Sequence, residues 1–551
     1  MNISLTFRRK GLLLLALSYL AIPNVLFLAG WVEPIVATFL ALVLAAGCWL
    51  TVRNLTSQVP CRKSEQADQI ALALSLLLLG VWVFLIGAAG QTCQTWDHIV
   101  RNPIYETLVR CDWPIFSQSG DYFVYYFAYL LPPALLGRLV GGCATEPSLS
   151  WYVILSLWIY IGLALTTFLF YRRFGKHVLL FVVIWMFLGS SGDLLNTLFN
   201  SIAFRLEIFL NLHLGSISSW WNLKYALPHG GTVQLFNTYH HAVPVWLIAA
   251  VLLEGRLAKR SILFVSALGL LLSPLGSVGI FLLLLVLATA DIVRSPSTWK
   301  SWLLSPETFA GLCIVAIAAV FYLGGADSSV RFAWQDSPFD SCGSMGKRVS
   351  ALVLGALCSM GPFLLLFRRR IGSQPLLVAA FAILFLCPLI FVGFMTNELI
   401  FKASAIPFLL FSVVLVDCWS RENVRFRVAT VLLILIGSFA ALRQLTSSCS
   451  TVTFDKSGIA RNFNTKWQGH LNHPDDVLYR QFFSKKTPFF FLNESGSSSQ
   501  GLLSWCAAHN RSDQEHLPPA FYPPHTHPGG MEANESDTLQ PNKPTCSSND
   551  N

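Results

Sequence analysis

Residues 69–98 read QIALALSLLLLGVWVFLIGAAGQTCQTWDH. The apolar part, Gln69 to Gly90, is long enough to cross a bilayer as a helix. The cluster Trp96-Asp97-His98 follows it directly and opens a polar segment. The stretch therefore predicts a membrane-spanning helix, with a carboxylate and an imidazole at the membrane surface where the helix ends.

The composition of the whole chain points to the same class of protein. Of its 551 residues, 54% are hydrophobic and 12% are charged, whereas soluble domains carry about 25% charged residues. Apolar stretches recur from Gly11 to Leu442. We therefore expect an all-α, polytopic membrane protein with the lipid bilayer as its partner. The net charge of +9 reflects membrane topology and gives no reason to expect nucleic acid.

Thirteen apolar stretches are candidate membrane spans. Their predicted bounds are 11–30, 32–51, 69–90, 151–171, 177–194, 241–254, 261–273, 276–293, 307–323, 349–367, 375–394, 404–419 and 425–443.

The distribution of Lys and Arg predicts the orientation of these spans, because cytoplasmic loops are enriched in both. With the N-terminus inside, the alternate loops carry the basic residues: Arg53, Arg62, Lys63, Arg172, Arg173, Lys176, Arg256, Lys259, Arg260, Arg294, Lys300, Arg368, Arg369, Arg370, Arg421, Arg425 and Arg427. Thirteen spans then place the C-terminus outside.

One apolar stretch, Tyr122 to Gly142 (YFVYYFAYLLPPALLGRLVGG), is not counted as a span. Counting it would move the later basic loops outside. Tyr is favoured at the headgroup level, so we predict a helix lying in the membrane interface. The first outer loop then extends from Gln91 to Ser150.

The sequence divides into three predicted regions. Residues 1–445 form the transmembrane domain, and residues 446–492 form a small outer cap or tail. Residues 493–551, rich in Ser, Pro, His, Asn and Gly, are expected to be disordered. In the first outer loop, Cys93 and Cys111 bracket Asp97, and either a disulfide or two free thiols fits that position.

The predicted outer loops contain the residues that could carry chemistry. The candidates are Asp97, His98, Arg101, Glu106, Arg110, Asp112, Arg205, Lys224, His240, His241, Arg331, Glu398 and Lys402. A carboxylate at Asp97 could act as general base on a hydroxyl, and Arg or Lys could neutralise a phosphate. The competing interpretation is that these are ordinary solvated loop charges, and that His240-His241 begin a helix.

The order of these features resembles the GT-C superfamily of integral-membrane glycosyltransferases, such as protein O-mannosyltransferases and lipid A aminoarabinose transferases. The matching elements are Trp96-Asp97-His98, the segment Tyr122 to Gly142, and the basic turn Tyr171-Arg172-Arg173-Phe174-Gly175. The stretch Asn397 to Pro407 (NELIFKASAIP) also resembles uncharacterised bacterial membrane proteins with this layout. The resemblance covers residues 69–445 and rests largely on topology.

The resemblance implies transfer of a sugar from a polyprenyl-phosphate-linked donor to a glycan, lipid or protein acceptor, on the outer face of the bacterial cytoplasmic membrane. Asp97 would be the catalytic base or a ligand of a divalent metal ion. The implied phosphate-binding residues are Arg101, Arg110, Arg205, Lys224, Arg331 and Lys402. The chain departs from the family pattern at His98, where mannosyltransferases carry a second acid. Asp97 and His98 could therefore bind a metal ion or act as base and orienting group.

Two other classes of function remain open. A transporter or flippase for a lipid-linked glycan would also have broken spans, although the charged residues of this chain lie almost wholly in predicted loops. An O-antigen-type polymerase or ligase would rely on Arg and His of large outer loops. Asp97 distinguishes these classes, because only the first interpretation requires its carboxylate.

Overall fold

The computed structural model describes residues 2–55, 66–88, 90, 92, 96–115, 122–141, 148–192, 194–195, 197–198, 228–255, 257–323, 330–332, 345–393, 397–450 and 483–484. The α-helices with defined bounds are α1 Asn2–Trp31, α2 Pro34–Arg53, α3 Gln66–Leu85, α4 Trp96–Arg110, α5 Leu131–Gly141, α6 Leu149–Phe174, α7 Val178–Phe187, α8 Gly231–Leu253, α9 Ile262–Ala267, α10 Pro274–Arg294, α11 Trp299–Leu303, α12 Pro306–Leu323, α13 Met345–Phe367, α14 Pro375–Leu386, α15 Glu398–Ala403, α16 Ala405–Trp419, α17 Val424–Gly437 and α18 Phe439–Ser450.

Seven helical segments in the described part of the chain are long and apolar enough to cross a membrane. They are Lys10–Trp31, Pro34–Arg53, Gln66–Leu85, Leu149–Phe187, Gly231–Leu253, Pro274–Arg294 and Glu398–Trp419. Two bent helix pairs, Pro296–Leu303 with Pro306–Tyr322 and Val424–Gly437 with Phe439–Ser450, would raise the number to nine. The chain is thus a polytopic helical membrane protein, as its composition predicts.

The predicted number of thirteen spans is not confirmed. The predicted spans 151–171 and 177–194 fall largely in one 39-residue helical segment, Leu149–Phe187. The predicted span 261–273 contains only the six-residue α9. Apolar character alone does not show that α6 and α7 follow each other through a short turn at Gly175–His177. It also does not show that α9 ends after six residues.

The centre of the bundle is formed by two helical segments. In the most apolar 18 residues of Gly231–Leu253 and of Glu398–Trp419, 89% and 94% are buried, respectively. Trp246 of the first segment donates a hydrogen bond to the Ala405 carbonyl of the second at 2.9 Å. Small residues permit close helix packing. At Gly162, for instance, a Cβ atom would lie 2.4 Å from Val243 Cγ1.

Ion pairs join the helix ends on one side of the bundle. Arg172, at the end of α6, contacts Glu254 at 2.8 Å, and Arg173 pairs with Asp417 near the end of α16. Arg173 also donates to the Leu253 carbonyl. Three helices therefore end together, and we call this side the basic end. The 22-residue segment Glu398–Trp419 is about 33 Å long, so its first residues lie at the opposite end.

The segment predicted to lie in the interface is not one continuous helix. It contains strand β1, Tyr122–Phe123, a 3-10 turn at Ala128–Leu130, and the 11-residue α5. A helix of this length is too short to cross a bilayer. Its position in the membrane interface stays a prediction.

Two short antiparallel ribbons complete the described architecture. Strand β1 pairs with β4, Phe483–Ser484, and strand β2, Val330–Phe332, pairs with β3, Ile390–Val392. The first ribbon joins part of the predicted 446–492 cap to the segment after α4. The other residues after Ser450, including the tail 493–551, lie outside the described part of the chain, and the predicted domain bounds stay predictions.

Candidate functional site

The predicted polar loop after α3 contains a helix, α4, that carries several of the predicted site residues. Asp97 and Arg101 lie one turn apart, and Arg101 Nε donates to the backbone carbonyl of Asp97 at 2.8 Å. A spacing of four residues places both side chains on one face of a helix. Asp97 is partly exposed, whereas Arg101 is buried.

The Asp97 carboxyl lies in the electrostatic field of three other charged groups. Its pKa is raised to about 6, chiefly by burial. Arg101 and Lys402 lower the pKa, whereas Glu398 raises it. The structure therefore brings together charges that are about 300 positions apart in the sequence. A carboxyl with this pKa is mostly ionised at neutral pH and can accept a proton.

Glu398 and Lys402 form an ion pair within one turn of α15. Asn397 begins this helix, and its side chain accepts a hydrogen bond from Leu399 N at 3.2 Å. Lys402 is buried, with 4% of its side chain exposed. Burial of an ammonium group requires a compensating partner, and Glu398 supplies it beside Asp97.

Tyr126 contacts Lys402 of this ion pair with both its hydroxyl and its ring. Its hydroxyl accepts a hydrogen bond from Lys402 Nζ at 3.4 Å, and its ring centroid lies 4.7 Å from the same nitrogen. Burial raises the pKa of Tyr126, and the neighbouring Glu398 and Asp97 raise it further. The phenol therefore stays neutral and can donate or accept hydrogen bonds at the site.

His240 and His241 of α8 lie on the other side of Tyr126. The ring of His241 is 4.7 Å from that of Tyr126, and its Nδ1 atom lies 3.1 Å from Ser273 Oγ. The helix is kinked at Thr238, where φ is −142°. Within the described residues, both ring nitrogens of His240 and Nε2 of His241 lack a hydrogen-bond partner. Buried polar atoms of this kind are suited to a bound ligand.

Arg101 connects α4 with α8. Its Nη2 atom donates to the Phe236 carbonyl at 3.2 Å, and its guanidinium carbon lies 4.5 Å from the ring centroid of Tyr239. Its Nη1 atom has no hydrogen-bond partner among the described residues. The N–H groups of Arg101 Nη1 are thus available to donate hydrogen bonds to an anionic group.

His98 faces a different part of the fold. Its imidazole is buried and hydrogen bonded to the backbone of Ile86. Burial lowers the pKa of His98 well below its usual range, and Arg101 adds to that effect. His98 is therefore a neutral contact between α4 and the chain that follows α3.

The described part of the chain offers few ligands for a divalent metal ion at Asp97 and His98, one of the two roles that the sequence left open for this pair. Among the described residues, no three His, Cys, Asp or Glu side chains are grouped so that they could hold a metal ion. Asp97 and His98 thus lack a third protein ligand in that part of the chain.

Other predicted site residues do not meet Asp97. Glu106 and Arg110 lie near the far end of α4, where Tyr152 donates to Glu106 and Arg110 lies 5.2 Å from the Trp151 ring centroid. Asp112 is exposed, 3.6 Å from Arg138. The predicted positions that the structure does not describe are Arg205, Lys224 and the side chain of Arg331. Cys93, whose pairing with Cys111 the sequence left open, also lies outside the described residues.

The sequence did not indicate Tyr126 as a member of the site, nor Ser273 as the contact of His241. Tyr126 belongs to an aromatic run that was interpreted as a headgroup-level segment. Tyr239 directly precedes the His240-His241 pair, and Ser273 directly precedes Pro274. Proximity to these motifs was the available signal, but the contacts depend on helix packing.

No family, no curated protein and no solved structure matches this chain. The class of the molecule therefore rests on its own features. It is a polytopic helical membrane protein with a buried, charged cluster at the end of the bundle opposite the ion-paired basic end. We call this cluster the Asp97 site: Asp97, Arg101, Tyr126, His240, His241, Glu398 and Lys402.

Proposed function

We propose that the protein is a membrane glycosyltransferase of GT-C type. It transfers a sugar from a polyprenyl-phosphate-linked donor to a glycan, lipid or protein acceptor. The observation that carries this proposal is the placement of the Asp97 carboxyl in the field of two buried cations, Arg101 and Lys402. A proton acceptor next to two buried cations suits a reaction in which a hydroxyl is deprotonated and an anion departs.

In the proposed reaction, Asp97 accepts the proton of the acceptor hydroxyl. The hydroxyl oxygen forms a bond to the anomeric carbon of the donor sugar, and the bond from that carbon to the phosphate oxygen breaks. The electron pair leaves with the lipid phosphate. Arg101, through its unpartnered Nη1 atom, and Lys402 neutralise the charge that develops there.

The proposed topology places this reaction on the outer face of the bacterial cytoplasmic membrane, with the N-terminus inside. The ion-paired basic end contains Arg172 and Arg173, which are residues expected in a cytoplasmic loop. The Asp97 site lies at the other end of the helices. About thirteen spans, with a C-terminus outside, remain part of the proposal.

Genetic complementation tests the role of Asp97 without a substrate analogue. The glycolipid and glycan content of a deletion strain is compared by mass spectrometry after complementation with the wild type or with Asp97→Asn. We expect wild type to restore the missing sugar and Asp97→Asn to fail, while both proteins accumulate in the membrane. Asp112→Asn is the matched control, because Asp112 is exposed at the end of the same helix.

A transporter or flippase of a lipid-linked glycan is the second candidate, and one observation favours it. The kinked α8 meets the break before Pro274 where His241 contacts Ser273, and broken helices line transport pathways. If Asp97→Asn still restores the glycan and only Ser273 or His241 variants fail, this candidate replaces the transferase. An O-antigen-type polymerase or ligase would be indicated by unchanged sugar transfer but altered chain length.

A further inference from the structure

Glu106 is a buried acid that the proposed reaction does not use. Only 3% of the residue is exposed. Its Oε1 atom accepts a hydrogen bond from the Tyr152 hydroxyl of α6, and its Oε2 atom has no hydrogen-bond partner in the described structure. A buried carboxyl with one oxygen unpartnered is better accommodated as the neutral acid.

Reciprocal tyrosine contacts join α4 to α6 at this point. Tyr105 of α4 donates a hydrogen bond to the Trp151 carbonyl of α6 at 2.7 Å. Tyr152 of α6 donates to Glu106 of α4. The two rings also contact each other edge to face, with centroids 5.9 Å apart. We call these three residues, Tyr105, Glu106 and Tyr152, the tyrosine clamp.

The clamp and the Asp97 site are on one rigid element. Nine residues of α-helix separate Asp97 from Glu106, which is about 14 Å along the axis. The first turn of α4 is held by Arg101 and its contacts with α8. The last turns are held by the clamp and by Arg138 of α5, which donates to the Val109 carbonyl at 3.0 Å. Loosening the clamp therefore removes one of the two sets of contacts that hold this end of the helix that carries Asp97.

We propose that Glu106 is a positioning residue, whose neutral carboxyl keeps α4 docked on α6 and so fixes Asp97, and whose ionisation weakens this docking. The positioning of Asp97 matters for activity only if the proposed function is right. The docking itself does not depend on that function.

The groups facing Glu106 set the pH at which the clamp weakens. Burial raises its pKa to about 7, against the hydrogen bond from Tyr152 and the charge of Arg110, which both lower it. Tyr105 adjoins Glu106 on α4, and Tyr239 of α8 interacts with both clamp tyrosines. Arg138 is the charged group of α5 on this side. About 90% of the carboxyl is then neutral at pH 6 and about 10% at pH 8.

The sign of the stability effect follows from the raised pKa. The folded protein binds this proton more tightly than the unfolded chain does. The contribution of Glu106 to stability is therefore fully present below the unfolded pKa of 4.5 and is lost as the pH rises through about 7. Glu106→Gln keeps the shape of the side chain and removes the titration.

The test uses the full-length protein in detergent micelles between pH 5 and pH 9. Thermal unfolding is measured for wild type, Glu106→Gln, Tyr152→Phe and the control Asp112→Asn. From pH 6 to pH 8, we expect the unfolding temperature of wild type to fall by a few degrees relative to Glu106→Gln. The hydrogen bond from Tyr152 lowers the pKa of Glu106. Tyr152→Phe removes this bond and should therefore raise the pKa and move the fall in unfolding temperature to higher pH.

Amide hydrogen exchange provides the readout of positioning. After correction for the intrinsic pH dependence, peptides covering residues 96–110 should exchange at least threefold faster at pH 8 than at pH 6 in wild type and Asp112→Asn. In Glu106→Gln, the rates should stay equal. The proposal is overturned if Glu106→Gln keeps the wild-type pH dependence in unfolding and exchange, or if Asp112→Asn abolishes it as well.

The two proposals fail in distinguishable ways. If Asp97→Asn restores the glycan but Glu106→Gln removes the pH dependence of exchange, the transferase proposal is wrong and the clamp stands. If Asp97→Asn fails to restore the glycan and Glu106→Gln behaves as wild type, the clamp is wrong and the transferase proposal stands.

Discussion

Lys402 Nζ lies 3.4 Å from the hydroxyl of Tyr126 and 4.7 Å from the centre of its ring, although 276 positions separate the two residues. This contact joins α15 to the segment that follows strand β1. It also closes one side of the Asp97 site, because Lys402 is ion-paired with Glu398 and interacts with Asp97. The proton affinity of Asp97 thus depends on Arg101 of its own helix and on Glu398 and Lys402 of the distant α15.

The ionisation of Asp97 can be followed without knowledge of its substrate. A hydrophobic carbodiimide modifies protonated, buried carboxyl groups, and mass spectrometry locates the product. We expect labelling of Asp97 to fall as the pH rises through about 6, because its pKa is raised to that value by burial. A midpoint near pH 4 would mean that the carboxyl is solvated, in contradiction to the structure.

Variants of the neighbouring charges should move this midpoint in opposite directions. Glu398→Gln removes a negative charge that raises the pKa of Asp97, so the labelling midpoint should move to lower pH. Lys402→Gln removes a positive charge that lowers the pKa, so the midpoint should move to higher pH. Asp112→Asn should leave it unchanged. If both variants moved the labelling midpoint of Asp97 by the same amount in the same direction, the shift would come from unfolding of the protein and not from the charge removed.

Gly231, the first residue of the central helix α8, should not tolerate a side chain. At Gly231, a Cβ atom would lie 2.1 Å from the backbone carbonyl oxygen of Trp185. Since backbone cannot rotate away as a side chain can, Gly231→Ala should lower the free energy of unfolding by about 1–3 kcal/mol. Gly11→Ala is the control: its Cβ meets nothing within 4 Å, and it should be neutral or stabilise by up to about 1 kcal/mol. Urea titration in micelles would measure both.

Two further ion pairs, Arg260–Glu307 and Lys259–Asp291, should differ in their contribution to stability. Glu307 has only 1% of its side chain exposed and accepts a hydrogen bond from Asn54 at 2.8 Å, with Arg260 3.3 Å away. Glu307→Ala leaves these donors without their acceptor and should cost about 1–3 kcal/mol. Asp291, which pairs with Lys259, has 25% of its side chain exposed, so Asp291→Ala should cost less than about 1 kcal/mol. Comparable losses in the two unfolding curves would contradict this distinction.

The proposed orientation in the membrane can be tested with single cysteines placed in a chain whose native cysteines are replaced. Asp112 is exposed beyond α4, whereas Arg421 is exposed beyond α16 at the basic end. We expect a membrane-impermeant maleimide to label Asp112→Cys on intact cells and Arg421→Cys only after permeabilisation. The reverse pattern would place the Asp97 site on the cytoplasmic side.

The sequence alone determined the class of protein and the positions of many candidate residues. Runs of apolar residues predict membrane helices because the bilayer requires long stretches that satisfy their own backbone hydrogen bonds. Asp97, Arg101, Glu398, Lys402 and the histidine pair were all candidates. The spacing of four between Asp97 and Arg101, and between Glu398 and Lys402, already places each pair on one helix face.

Only the tertiary structure decided which candidates meet. Periodicity is local, whereas contacts between α4, α8 and α15 depend on how their surfaces pack. That packing brings Tyr126 and Lys402 to Asp97, turns His98 towards Ile86, and places Glu106 on Tyr152. Burial then sets the proton affinities, because the energy of a charge depends on the solvent removed from around it. The sequence alone does not show which charged groups lose their solvent, because that depends on how the helices pack.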